Sequence, residues 1–283
     1  MTPMKLDEAI AEYVHDGASV ALEGFTHLIP YAAGHEIIRQ RKRDLHLIRM
    51  TPDLVYDQMI GMGCARGLTF SWGGNPGVGS LHRFRDAVEN HWPRALELNE
   101  HSHAGMAAAF TAGAARLPFG MLRGYIGTDL PAHNPNIRRV ACPFTGETLA
   151  AVPALNPDVT ILHAQRADRA GNVAIDGIVG AAREAGLAAK ALVVTVEEIV
   201  DALPPAMNAI VLPHWTVSAV VHCRGGAYPS YAQGYYARDN AFYQRWDAIA
   251  RDRERFVSWM DAHVLGTPDH HAFLARMHEE NAA

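Results

Sequence analysis

Two glutamates directly follow apolar segments of the chain, and they are its candidate nucleophiles. Glu23 comes after the run at residues 20–22, which is long enough for a buried strand, and Glu100 follows a candidate strand at residues 95–98. The carboxyl ends of parallel strands share one edge of a sheet, where a carboxylate can have a raised pKa and act in catalysis. Helix capping, or pairing with arginine and lysine, would explain the same residues, so the spacing leaves both interpretations open.

Two glycine-bearing segments could bind an anion through backbone N–H groups. Gly24 ends the first strand, and Pro30 suits the first turn of a following helix, whose N-terminus would face the sheet edge. Residues 73–80 form the densest glycine cluster, but they lack the Gly-Lys-Ser/Thr of a P-loop and the third glycine of a dinucleotide fingerprint. This cluster is therefore either an anion nest at a helix start or a tight turn.

The histidines do not form a recognisable metal motif. His101 and His103 are one residue apart, but no third ligand at a metal-binding spacing accompanies them. The zinc-protease pattern His-Glu-x-x-His is not completed after His35, and the histidines at 270–271 lie in a polar tail, where we expect them to be solvated. A Gly-x-Ser-x-Gly elbow is also missing from the sequence. We therefore expect neither a metal site nor a serine hydrolase.

Composition argues against several classes of partner. The 283-residue chain has a formal net charge of -5, no block of basic residues and no run of 18 apolar residues, which disfavours nucleic acid and membranes as partners. Its three cysteines are far apart, and the first residues lack the apolar core of a signal peptide. These features predict a reduced, cytoplasmic protein.

Strand-like and helix-like segments alternate along the chain. This alternation predicts an open, mostly parallel, doubly wound α/β sheet in a single domain that spans residues 1–283. We expect strands near residues 20–22, 45–50, 68–72, 95–98, 158–164, 192–196, 209–212 and 217–223. We expect helices near residues 6–14, 30–40, 52–62, 81–91, 104–115 and 181–190.

Three further regions have a distinct character. Ser80 is a candidate N-cap for the helix at 81–91, and residues 124–144, broken by three prolines, predict a long irregular loop. From about residue 239 the chain predicts a helical extension, with Trp246 and Trp259 among the apolar residues of its buried face.

Five segments, in order, resemble the family I coenzyme A transferases, specifically their A (alpha) subunit. Glu23-Gly24-Phe25 with Pro30 is similar to the family's Gly-Gly-Phe…Pro, although Glu23 replaces the first glycine. Residues 74–83 resemble a stretch of the glutaconate-type branch, and residues 167–173 match Ala-Asp-x-x-Gly-Asn-Val. Residues 196–200 (Val-Glu-Glu-Ile-Val) and 225–230 (Gly-Gly-Ala-Tyr-Pro-Ser) match two further signatures.

The resemblance implies an open α/β fold of the CoA-transferase type and a partner. It implies a B (beta) subunit that carries the catalytic glutamate, in an α2β2 heterotetramer. The substrates would be an acyl-CoA and a carboxylic acid, exchanged through a glutamyl-CoA intermediate. Coenzyme A would then be part of a substrate, and we expect no permanently bound cofactor.

The resemblance also implies a set of site residues. His103 falls where some relatives have glutamine or glutamate, and we expect His103 and Glu23 to be the catalytic residues of this chain. We expect substrate contacts from Gly24, Phe25, Thr26, His27, Trp72, Gly74, Asn75, Gly77, Gly79 and His101. Two alternatives stay open: a subunit of a CoA-thioester or ring-opening hydrolase, and a subunit that only binds substrate. Histidine at position 103 favours transfer over ring opening.

Overall fold

The computed structural model describes residues 2–75, 79–205 and 210–282. Among the described residues, eight strands overlap the predicted segments, and strands at residues 119–122, 138–141, 148–153 and 173–175 were not predicted. The strands are β1 (Ser19–Glu23), β2 (Leu45–Ile48), β3 (Ala65–Phe70), β4 (Glu97–Glu100), β5 (Phe119–Leu122), β6 (Arg138–Ala141), β7 (Thr148–Pro153), β8 (Val159–Asp168), β9 (Val173–Ile175), β10 (Ala191–Val200), β11 (Ile210–Leu212) and β12 (Ala219–His222).

The main sheet is mostly parallel, as predicted. Neighbouring strands pair in parallel in the order β12-β10-β8-β1-β2-β3-β4. The far end of β8 also pairs antiparallel with β9, which in turn pairs antiparallel with β11. Because β1, β2, β3 and β4 point the same way, the loops that follow them meet at one edge of the sheet.

A second, smaller sheet corrects the prediction for residues 124–144. Strands β5, β7 and β6 form an antiparallel sheet in that order, so part of the expected loop is a strand. Pro131 lies in the first turn of a short helix, where its missing N–H costs nothing, so it begins an element here rather than breaking one.

Helices cover both faces of the main sheet. They are α1 (Leu6–Tyr13), α2 (Tyr31–Arg39), α3 (Leu54–Gly61), α4 (His82–Glu89), α5 (His103–Ala114), α6 (Leu130–His133), α7 (Ala182–Ala188), α8 (Asn240–Arg251), α9 (Arg253–Met260) and α10 (His270–Ala282). Because successive strand side chains point to opposite faces, Val20 and Leu22 pack with α2 and α3, whereas Ala21 packs with α5 and α7. Within the described ranges, no helix has the length and apolar character needed to cross a membrane.

The C-terminal helices pack on the α2 and α3 face. Asp239 caps α8 by accepting a hydrogen bond from the Phe242 N–H (2.8 Å), and Trp246 is fully buried, as expected of core. The expectation of a solvated His270 is wrong, because α10 buries it and its Nε2 contacts the carbonyl oxygen of Gly225 (2.8 Å). Burial lowers the pKa of His270 to about 4, so it is neutral at physiological pH. His271 is exposed.

We predict that a side chain at Gly34 of α2 destabilises the protein through a clash with α3. A Cβ there would overlap with Cγ2 of Val55 on α3, so Gly34→Ala should lower the free energy of unfolding by about 1–3 kcal/mol. In a Val55→Ala background the same change should be neutral or stabilising, because the overlap is removed and alanine favours the helix. Urea denaturation of the four variants measures this cycle. Equal losses in both backgrounds would contradict close packing of α2 on α3.

Candidate active site

A cavity of about 200 Å³ lies at the carboxyl edge of the main sheet. Of the residues expected to bind or transform substrate, Phe25, Thr26, Trp72 and His103 line it. They follow β1, β3 and β4 in the sequence, so the parallel order of these strands brings them together. Thr26 has a positive φ of 62°, which reflects the sharp path of the turn after β1.

Other lining residues were not among the sequence expectations. They are Ile29, Arg49, Thr51, Asp53, Arg238 and Tyr243. The loop after β2 contains three of them, Arg49, Thr51 and Asp53. The glutamates were selected because they follow a predicted strand, and the same criterion would have selected these three residues. Arg238 and Tyr243 lie beyond the last strand, and their sequence carries no comparable signal.

A buried ion pair shapes one wall of the cavity. The two terminal nitrogens of Arg49 contact the two carboxylate oxygens of Asp53 at 3.1 and 3.3 Å. Arg49 also donates to the carbonyl oxygen of Gly24 at 2.7 Å, and its own side chain is 1% exposed. Burial raises the pKa of Asp53, and the charge of Arg49 opposes that rise. The pair therefore joins the turn after β1 to the start of α3.

Glu23 lies behind this wall and does not line the cavity. Its side chain is buried, and Oε1 accepts a hydrogen bond from the Met50 N–H at 3.3 Å. Burial raises the pKa of Glu23 to about 7, and the nearby Arg49 charge only partly opposes the effect. Close to neutral pH, Glu23 can therefore hold or release a proton.

His103 is the first residue of α5 and faces the cavity. The preceding Ser102 caps the helix by accepting a hydrogen bond from the Gly105 N–H at 3.1 Å. The ring Nδ1 of His103 is 3.2 Å from Oγ of Ser71, and that hydroxyl donates to the carbonyl oxygen of Met50 at 2.7 Å. Because the single hydroxyl proton goes to Met50, Nδ1 of His103 must be the donor to Ser71. A neutral His103 thus presents Nε2 as an acceptor.

His101 and His27 lie outside the cavity lining. His101 is buried against the Tyr125 hydroxyl (3.3 Å), and burial lowers its pKa to about 4. His27 is also buried, with Nε2 3.1 Å from the carbonyl oxygen of Asp176 and its ring beside Tyr231. Burial lowers the pKa of His27 as well. Both histidines are neutral side chains that brace the loops around the site.

Two glycines of the described part of the glycine cluster lie close to neighbouring side chains. A Cβ at Gly74 would lie 2.7 Å from the Trp72 ring, and a Cβ at Gly79 would lie 2.6 Å from the carboxylate of Asp247 on α8. The Asn75 N–H donates a hydrogen bond to the carbonyl oxygen of Gly79 at 3.2 Å. Gly77 lies outside the described residues.

The N–H groups at the start of α4 already hold an anion from the protein itself. One carboxylate oxygen of Asp57 accepts from the N–H groups of Arg83 (2.8 Å) and Phe84 (2.9 Å). The expected Ser80 cap is wrong, because the N-cap is Leu81 and no side chain at that position caps the helix. The burial of Asp57 raises its pKa to about 7.

Two questions from the sequence remain, the position of Glu100 and the possibility of a metal site. Glu100 is exposed at the end of β4 and does not line the cavity. No group of three or more histidine, cysteine, aspartate or glutamate side chains suited to a metal ion occurs in residues 2–75, 79–205 and 210–282. The ionisable side chains that line the cavity among the described residues are those of Arg49, Asp53, His103, Arg238 and Tyr243.

Comparisons with known proteins identify the family of this chain. The family model for coenzyme A transferase matches residues 3–223. The chain is 64% identical to the A subunit of 3-oxoadipate CoA-transferase from Pseudomonas knackmussii over 98% of each chain. It is 32% identical to the A subunit of glutaconate CoA-transferase from Acidaminococcus fermentans, over 97% of this chain and 91% of the relative.

Two solved structures have the same fold over almost the whole chain. The crystal structure of glutaconate CoA-transferase from Acidaminococcus fermentans superposes with a TM-score of 0.90 at 30% identity, covering 98% of this chain and 93% of that one. The decarboxylase AibA/AibB superposes with a TM-score of 0.81 at 31% identity, covering 92% of this chain and 98% of that one. The expected resemblance is thus confirmed, and the chain belongs to the coenzyme A transferase family.

Proposed function

We propose that this chain is the A subunit of a heteromeric CoA-transferase that moves CoA between an acyl-CoA and 3-oxoadipate or a dicarboxylate of similar length. The observation that carries the proposal is the 64% identity to the A subunit of a 3-oxoadipate CoA-transferase over 98% of both chains. The small cavity with two arginines in its wall suits an acidic acyl group. We expect the complex to be an α2β2 heterotetramer in the cytoplasm.

The proposed reaction proceeds through a glutamate of the B subunit. Its carboxylate attacks the thioester carbonyl and CoA thiolate leaves, giving a mixed anhydride. The thiolate then attacks the glutamyl carbonyl, which releases the donor acid and leaves a glutamyl-CoA thioester. The acceptor carboxylate then attacks the carbonyl of glutamyl-CoA, which releases the CoA thiolate and gives a second mixed anhydride. The thiolate attacks the acyl carbonyl of that anhydride, which forms the new acyl-CoA and frees the glutamate. Covalent catalysis conserves the energy of the thioester throughout.

In this scheme His103 contacts the reacting carboxylate. The hydrogen bond from Nδ1 to Ser71 fixes the ring, so Nε2 is the nitrogen available to a substrate. A protonated His103 donates from Nε2 to a carboxylate, and a neutral one accepts a proton there.

Glu23 acts on the site through the backbone rather than on the substrate. Its carboxylate accepts from the Met50 N–H, the Met50 carbonyl accepts from Ser71, and Ser71 accepts from His103. This chain of hydrogen bonds fixes the direction in which Nδ1 of His103 must donate. We therefore assign Glu23 as a positioning residue for His103.

The first experiment is an assay of the chain co-expressed with its B subunit. We expect 3-oxoadipate to become a CoA thioester when an acyl-CoA donor such as succinyl-CoA or acetyl-CoA is present, as followed by chromatography. The chain without its partner should show little or no turnover, because it lacks the attacking glutamate. CoA release without an acceptor would instead identify a hydrolase, and full activity of the isolated chain would overturn the proposal.

The role of His103 predicts a graded series of rates. His103→Ala should lower kcat/KM for the acceptor by about 10- to 100-fold, because a charge-assisted hydrogen bond is lost. Ser71→Ala should cause a smaller loss, since it removes only the group that orients the ring. His133→Ala, at an exposed position, is the control. A wild-type rate in His103→Ala would favour a subunit that only binds substrate.

The raised pKa of Glu23 predicts how stability varies with pH. The ordinary value is 4.5 and the folded value is about 7, so between these values the folded state binds more protons than the unfolded state. The contribution of Glu23 to stability is thus fully present below pH 4.5 and is lost as the pH rises through 7. Glu23→Gln should remove this dependence, which is on the order of 3 kcal/mol. Urea denaturation from pH 4.5 to 7.5 tests it. Parallel curves for the two proteins would contradict the assignment.

A further inference from the structure

Arg238 enters the cavity from outside the region that the family model covers. It lies between the Gly-Gly-Ala-Tyr-Pro-Ser segment at 225–230 and α8, whereas the match ends at residue 223. Its guanidinium carbon stands 3.9 Å from the centre of the Tyr243 ring on α8. The Tyr243 hydroxyl is in turn 2.8 Å from that of Tyr31 on α2. The aromatic ring therefore sets the plane of the guanidinium group beside the cavity.

One nitrogen of this guanidinium group has no hydrogen-bond partner among the described residues, as is also true of Nε of Arg49 in the same wall. That nitrogen of Arg238 is its buried Nε, and no carboxylate of the described residues forms an ion pair with Arg238 within 4 Å. Asp53, the carboxylate that lines the same cavity, is held through both oxygens by Arg49. Leaving a buried polar group of an arginine without a partner is costly unless a ligand supplies one.

Among the described residues that line the cavity, arginines outnumber carboxylates. The described lining contains Arg49 and Arg238 against the single carboxylate of Asp53. Its remaining walls include the apolar side chains of Phe25, Ile29 and Trp72. A short chain with a negative charge at its far end matches this combination of apolar walls and an arginine that has no ion-pair partner among the described residues.

We propose that Arg238 binds the distal carboxylate of a dicarboxylic acyl group and thereby sets the preference of the enzyme for dicarboxylates. The inference rests on the proposed CoA-transferase function and names the residue that selects its substrate. The planar guanidinium group can bind that carboxylate through two parallel hydrogen bonds. The apolar walls would contact the methylene carbons between the two ends of the acyl chain.

The test compares two acceptors that differ only at the far end. The wild-type complex of this chain with its B subunit is assayed with 3-oxoadipate and with 3-oxohexanoate, which has the same chain length but no distal carboxylate. We expect Arg238→Gln to raise KM for 3-oxoadipate by about 10- to 100-fold and to leave KM for 3-oxohexanoate nearly unchanged. Arg238→Lys should recover part of the preference, because it keeps the charge but not the bidentate geometry. Arg224→Gln, outside the cavity, is the matched control.

A second measurement on the wild-type complex does not depend on any variant folding. Adipate should compete with 3-oxoadipate much better than hexanoate does. Equal inhibition by the two acids, or an unchanged ratio of the two KM values in Arg238→Gln, would overturn the role of Arg238. If the wild-type complex transfers CoA to neither acceptor, the proposed function fails instead. A loss of activity in Arg238→Gln that is equal for both acceptors would indicate a structural role and would also reject the inference.

Discussion

The buried pairing of Arg49 with Asp53 holds the site together. Arg49 follows β2, Asp53 precedes α3, and the same guanidinium group binds the carbonyl oxygen of Gly24 in the turn after β1. One side chain thus ties together the two loops that form the cavity wall. Lysine could not replace it, because one ammonium group cannot satisfy two carboxylate oxygens and a carbonyl with the same planar geometry. Removing one member of such a buried pair leaves an uncompensated charge, which typically costs about 3–5 kcal/mol.

The other polar groups of the site depend on this arrangement. Glu23 is buried beside the pair, and desolvation keeps its pKa at about 7 even though a positive charge is close by. Through the Met50 peptide and Ser71, its carboxylate belongs to the hydrogen-bond chain that ends at His103. One connected set of hydrogen bonds and charges therefore links the loops after β1, β2, β3 and β4. These loops line the cavity with both apolar and charged side chains.

The same scaffold carries more than one reaction, so the fold does not decide the chemistry of the site. A CoA-transferase and a decarboxylase both superpose on this chain over almost its whole length. Here α8 and the residues before it lie beyond the family-model match, yet they supply Tyr243 and Arg238 to the cavity.

The sequence alone predicted β1, β2, β3, β4, β8, β10, β11 and β12 of the main sheet, because apolar runs and glycine turns are local signals. It did not predict β9 or the small antiparallel sheet of β5, β6 and β7. The sequence also placed Phe25, Thr26, Trp72 and His103 at one sheet edge, since parallel strands collect the residues that follow them. It could not separate Glu23, which lies behind the wall, from residues that line the cavity.

Only the tertiary structure decided which polar groups are already satisfied. Asp57 comes from α3 and accepts hydrogen bonds from the N–H groups of Arg83 and Phe84 in the first turn of α4, so these two donors already have a partner within the protein. His270 looked like a solvated residue of a polar tail, yet the packing of α10 on Gly225, 45 residues away, buries it. Arg238 shows the opposite case, a cation near the cavity without an ion-pair partner among the described residues. Burial and charge compensation depend on contacts between distant segments, and no local pattern in the sequence records them.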